Sequence, residues 1–203
     1  MSSWAELLEQ AGPKDHLVQL YGEDDQLLAN RVGRYLSVGL KRGAGLLVIA
    51  TPEHTQSIMR WLEDEGNHPD LAVRDGRLVM LDAEATLGRF MVNGEPDRAL
   101  FEEVIGAALQ QVRSRDPRAT PRAFGEMVGL LWSRGETAAA VALEGYWNPL
   151  LDERGISLFC AYPIDVFTGE VEEGALRDLV RAHTHVFASP RTMFSGPAGN
   201  AWP

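Results

Sequence analysis

Cysteine occurs once, at Cys160, so the chain can form no internal disulfide and no thiolate zinc cluster. No apolar run approaches the roughly 20 residues that a bilayer-spanning helix needs. The opening Met1-Ser2-Ser3-Trp4-Ala5-Glu6 has no basic leader and no apolar signal core, and the simplest location is cytoplasmic. Positive charge is scarce: 19 Lys and Arg stand against 29 Asp and Glu, a formal net charge of −10. Phosphate binding depends on clustered Lys and Arg, so this balance argues against direct nucleic-acid binding and against adsorption to an anionic membrane.

Also missing is a phosphate loop. A nucleotide-hydrolysing α/β protein needs glycine-rich backbone after its first strand, a lysine for phosphate charge and a Ser or Thr for magnesium. The turn here reads Tyr21-Gly22-Glu23-Asp24-Asp25-Gln26, with three carboxylates and no lysine. Two phosphates would meet negative charge at close range. No cofactor follows from the sequence.

What is present is an ordinary globular composition, 45% apolar and 24% charged, in a length that suits one α/β domain. Apolar runs and amphipathic stretches alternate. Strands are expected at His16–Tyr21, Leu46–Ala50, Leu78–Leu81, Arg122–Met127 and Ile156–Tyr162. Between them, Leu28, Val32, Tyr35, Leu36 and Leu40 recur at helical spacing, as do Ile58, Trp61 and Leu62, and Leu100, Phe101, Val104, Ile105 and Leu109. Thr51-Pro52 reads as an N-cap with proline at the first helical position. Ser3 would cap a short first helix. A short helix is expected over 83–91, followed by a loop at 93–96, and 66–75 reads as a polar connection with at most one turn. The last helix should turn Leu176, Leu179, Val180 and Val186 inward, after a loop over 165–173. Residues 189–203 read as a flexible tail on a single domain of residues 1–188.

The alternation predicts a three-layer α/β sandwich around a mostly parallel sheet. In such a sheet the strand C-terminal ends share one edge, where open α/β folds place ligands. Tyr21, Thr51, Asp82, Glu126 and Tyr162 would meet there, with His54 inside the next helix. The candidate ligand-binding residues are Tyr21, His54, Glu126 and Tyr162. Glu126 has two readings: a ligand or cation contact, or a structural carboxylate that caps the next helix or pairs with Arg122 or Arg134.

Other chemistry-bearing residues read as structural. Glu144, in a helix near Trp147, is expected at the surface. His183 is expected as a buried, hydrogen-bonded core histidine, and Cys160 as a small buried apolar residue. His16 starts its strand and so should lie at the edge opposite His54. No histidine pair has the spacing of a zincin helix, and no metal ligand set is read.

The string Arg122-Ala123-Phe124-Gly125-Glu126-Met127-Val128, followed by Leu131-Trp132 and Gly135, resembles the signature of the methanogen/methylotroph sensory (MEDS) domain. Further matches are His16 to Tyr21, Gly39-Leu40 with Gly43, Leu143-Glu144 with Trp147-Asn148, Cys160-Ala161-Tyr162-Pro163, and His183 with Val186. The resemblance spans about residues 14–187. It implies a divergent RecA-like, circadian-clock-ATPase-like fold without its phosphate loop. It also implies a sensor of small, often hydrocarbon-like ligands, commonly joined to DNA-binding or histidine-kinase modules. The resulting expectation is a stand-alone, non-catalytic sensory domain. It would bind a small ligand and signal through a regulatory protein partner or its own oligomeric state. The alternatives are a ligand-free adaptor in a sigma-factor or kinase pathway and a residual nucleotide hydrolase using Glu126.

Overall fold

Strands that are apolar on both faces need cover on both faces, and this chain supplies it with two layers of helices. The computed structural model describes residues 4–22, 24–164 and 173–188. The first part runs α1 (Trp4–Gln10), β1 (His16–Leu20), α2 (Asp25–Lys41), β2 (Leu46–Ala50), α3 (Pro52–Asp64), α4 (Pro69–Arg74) and β3 (Leu78–Asp82). The middle holds α5 (Ala83–Leu87), a small hairpin of β4 (Met91–Val92) and β5 (Glu95–Pro96), and α6 (Arg98–Gln111). The last part runs β6 (Arg122–Gly125), α7 (Met127–Ser133), α8 (Thr137–Arg154), β7 (Ser157–Tyr162), α9 (Glu173–Ala182) and β8 (His185–Ala188).

Six strands form one all-parallel sheet in the order β3-β2-β6-β7-β1-β8. Leu17, Val48, Phe124 and Phe159 look toward α1–α4 and pack with Leu8, Leu28, Tyr35, Ile58 and Leu62. Val18, Ile49, Ala123, Leu158 and Cys160 look the other way, toward Phe101, Leu131, Leu143, Trp147 and Leu179. The four inner strands are buried along their whole length, while β3 and β8 at the edges are only partly covered. This is the expected three-layer sandwich.

Several local expectations are corrected. The last helix does not run on to Val186; it ends at Ala182, and His185–Ala188 becomes edge strand β8 beside β1. Thr184 fixes that join: its N–H donates to the His16 carbonyl at 2.6 Å, and its hydroxyl accepts from the His16 N–H at 3.0 Å. Satisfying the free edge of β1 outweighs one more helical turn. Val180 and Val186 are exposed, not inward-facing. The helix expected over 83–91 stops at Leu87, because Met91–Val92 pairs with Glu95–Pro96 across Asn93-Gly94. Both turn residues have positive φ, 53° and 86°, as a tight hairpin turn requires. The polar connection at 66–75 contains helix α4. The Ser3 cap, most of the 165–173 loop and the tail at 189–203 lie outside the described residues.

Candidate functional site

Parallel register brings the ends of β1, β2, β6 and β7 to one edge. Leu20 pairs with Tyr162, and the Tyr21 N–H donates to the Tyr162 carbonyl at 3.1 Å. Ile49 pairs with Gly125, and the Glu126 N–H donates to the Ile49 carbonyl at 3.1 Å. Glu126 therefore sits one residue beyond β6, beside the start of α3.

Its carboxylate does neither of the structural jobs read from sequence. It occupies the N-cap position of α7 without capping it. Arg122 is buried at the far end of β6 and donates to the Leu8, Tyr35, Glu9 and Ala11 carbonyls. Arg134 pairs with Glu84. Instead Glu126 accepts from the Thr51 N–H through Oε1 and lies 2.5 Å from His54 Nδ1 through Oε2. His54 Nε2 lies 3.2 Å from Asp25 Oδ1. Each ring nitrogen thus faces a carboxylate, so both must carry hydrogen to be satisfied. Burial alone would lower the His54 pKa, but the hydrogen bonds and charges of Glu126 and Asp25 win and raise it to about 9. Tyr21 stands edge-on to this ring at 6.0 Å, and its hydroxyl is pushed up by burial and by the charges of Glu126 and Asp25.

Asp25 also lines an open groove of about 510 Å³ between α2 and α3. Its other walls are Gln26, Ala29, Asn30, Ser57, Arg60, Trp61 and Asp64. The two helices approach closely because Gly33 lies under Trp61; a Cβ there would fall 2.2 Å from the indole. At the start of α2, the Asp24 carboxylate accepts from the Leu27 N–H at 3.0 Å. The helix end that a phosphate loop would turn toward an anion already carries a carboxylate cap.

Three of the four residues proposed from sequence thus gather: Tyr21, His54 and Glu126. Tyr162 does not join them, because its side chain leaves β7 on the other face. Its hydroxyl donates to Glu144 Oε1 at 2.6 Å, and its ring stands edge-on to Trp132. Asp82 caps α5 through the Ala85 N–H.

Tyr162 leads to a second polar group that the sequence did not reveal. Glu144 is not at the surface; it is buried at 1% exposure in α8, against β1 and β7. Its Oε2 lies 3.2 Å from His16 Nε2 and 3.7 Å from Cys160 Sγ, and its Oε1 lies 3.3 Å from His183 Nε2. The His16 and His183 rings are 4.1 Å apart. Burial would raise the Glu144 pKa, but the charges of His183 and His16 beside it hold it well below the ordinary carboxylate range. The Cys160 thiol is pushed well up by burial and by Glu144. His183 is buried and bonded to the Leu179 carbonyl at 2.7 Å, as a core histidine should be. Cys160 is buried in β7. One sequence signal was available for Glu144: it falls in phase with Ala140, Leu143, Trp147 and Leu151, the buried stripe of α8. His16 likewise shares the parity of Val18 and Leu20, on a strand covered on both faces.

The chain matches, over residues 15–184, the family described as MEDS, MEthanogen/methylotroph, DcmR Sensory domain. In structure it is similar to an uncharacterized protein from Pyrococcus horikoshii, solved in complex with an unknown peptide. The TM-score is 0.62 at 16% identity, over 93% of this chain and 84% of that one, a likeness of fold. No curated protein matches it in sequence.

Proposed function

The chain belongs to the MEDS family of sensory domains, and from that premise we propose that it binds a small ligand in the α2–α3 groove, with His54 as the reporting group. The observation that carries this reading is the double use of Asp25, which lines the groove and also faces His54 Nε2. Asp25 is exposed and able to move aside, whereas Glu126 is buried and holds the other ring nitrogen. A ligand oxygen replacing Asp25 would accept from a preset N–H donor. Trp61 and Ala29 supply apolar contact, while Asn30 and Ser57 add polar contacts. The carboxylates of Asp25 and Asp64 outnumber the one guanidinium of the lining, Arg60, which disfavours an anion. The fitting ligand class is a small neutral molecule with a carbonyl or hydroxyl oxygen.

The role is sensory and non-catalytic. Both Glu126 oxygens are engaged, by the Thr51 N–H and by His54, so this carboxylate acts as an anchor and not as a free base. Ligand occupancy would be passed to a regulatory protein partner by changing how α2 and α3 sit, which requires that the ligand favour one of two arrangements. Titration of the isotope-labelled full chain with short alcohols, aldehydes, ketones and amides tests this by amide NMR. Saturable shifts should concentrate at Gln26, Asn30, Ser57 and Trp61 and disappear in His54→Ala. Shifts that survive His54→Ala unchanged, or no saturable shift with any compound, would overturn it.

A further inference from the structure

The second polar group has the composition and the spacing of a metal centre. His16, Glu144, Cys160 and His183 each offer one ligand atom, and these atoms lie within 4.8 Å of one another. Zinc binds nitrogen and oxygen at about 2.0–2.2 Å and sulfur at about 2.3 Å, so the edges of its coordination tetrahedron are about 3.3–3.6 Å. Three of the separations fall near those edges: 3.2 Å from His16 Nε2 to Glu144 Oε2, 3.4 Å from His16 Nε2 to Cys160 Sγ and 3.7 Å from Cys160 Sγ to Glu144 Oε2, with His183 within 4.8 Å of the other three.

The outer hydrogen bonds point the same way. His183 Nδ1 donates to the Leu179 carbonyl, and His16 Nδ1 donates to the Ala182 carbonyl at 3.1 Å, with Asn148 Oδ1 at 2.9 Å. Each histidine therefore presents Nε2 to the cluster centre, in the arrangement that orients metal-bound imidazoles. Tyr162 holds one Glu144 oxygen and leaves the other for a ligand bond. His183 Nε2 has no hydrogen-bond partner although its side chain is 0% exposed; Glu144 is near, but outside hydrogen-bonding geometry. A buried ring nitrogen without a hydrogen-bond partner, in a group of potential ligand atoms this close together, calls for an occupant.

We propose that His16, Glu144, Cys160 and His183 form a tetrahedral site for one divalent transition ion of the zinc type, separate from the α2–α3 groove. On binding, the Cys160 thiol loses its proton to solvent and the thiolate takes its place as a ligand; neither histidine keeps a proton on Nε2. A +2 ion with one carboxylate and one thiolate sums to zero, which suits a fully enclosed site. The set combines soft sulfur, borderline imidazole and hard oxygen, a mixture that suits zinc and disfavours magnesium or calcium.

The test uses the purified full chain, stripped with a chelator under reducing conditions and titrated with Co(II). The expected result is a set of strong visible bands of tetrahedral cobalt, with a near-ultraviolet thiolate band, saturating at one ion per chain and bleached by zinc. Cys160→Ala should abolish the thiolate band, and both Cys160→Ala and His183→Ala should weaken binding by at least about 100-fold. His68→Ala, an exposed histidine at the start of α4, should bind like the parent. No visible bands in a parent chain that circular dichroism shows to be folded would overturn the proposal. So would weak bands of six-coordinate cobalt, or bands unchanged in both ligand variants. The parent titration decides even if a variant fails to fold.

Discussion

Two histidine–carboxylate groups lie on opposite faces of one sheet, and their surroundings give them different properties. At the strand ends, His54 sits between buried Glu126 and exposed Asp25, and Asp25 lines an open groove. Between β1, β7 and α8, His16 and His183 enclose Glu144 with no exposed member. The first group has one partner that water can replace, which on our proposal is where a ligand oxygen would enter. The second has none, so each of its atoms must be satisfied from within or by an ion. Similar side chains form a partly solvated group in one place and an enclosed one in the other, and burial makes the difference.

The strongest break in the comparison is Glu144→Gln. Removing one partner from a buried charged group should cost about 3–5 kcal/mol. Urea unfolding in the presence of a chelator measures it; a loss under about 1 kcal/mol would mean that the enclosed group is not held by charge. Next is Gly129→Ala. A Cβ on Gly129 would lie 2.5 Å from the Ala161 carbonyl oxygen of β7, and backbone cannot step aside as a side chain can. Overpacking of this kind costs about 1–3 kcal/mol. Gly33→Ala first meets the Trp61 ring, a side chain at the groove wall, so it should disturb the groove more than the global stability, as the same unfolding experiment would show.

The mildest effect is the pH dependence of the edge group. The His54 pKa is raised from 6.5 to about 9, so its contribution to stability is full below pH 6.5 and is lost as pH rises through about 9. NMR titration of His54 should show that midpoint. Glu126→Gln should lower it clearly and Asp25→Asn less, because Asp25 is solvent-screened. An equal drop in both variants would contradict the anchor-and-exchange division between the two carboxylates.

Much of this fold was legible in the sequence because its signals are local. Leu46–Ala50 reads as a strand covered on both faces, and Thr51-Pro52 marks the start of α3, where Thr51 accepts from the His54 N–H at 3.3 Å. Strand β8 was not legible. Val186 continues the phase of α9, and four residues at a half-covered edge carry too little pattern to overrule it. The strand-end rule brought Tyr21, His54 and Glu126 together because a parallel sheet aligns its ends whatever the loops do. It misplaced Tyr162 because the rule fixes the edge and not the face.

The sequence by itself determined the alternation of strands and helices, the family, and the absence of a phosphate loop after Tyr21, since all of these rest on neighbours along the chain. Only the tertiary structure decided that Glu144 is enclosed by His16, Cys160 and His183. Those residues come from the start of one strand, the interior of another and the turn beyond α9. A charge on a helix is stable in water or among partners, and which of these holds depends on segments far away in sequence.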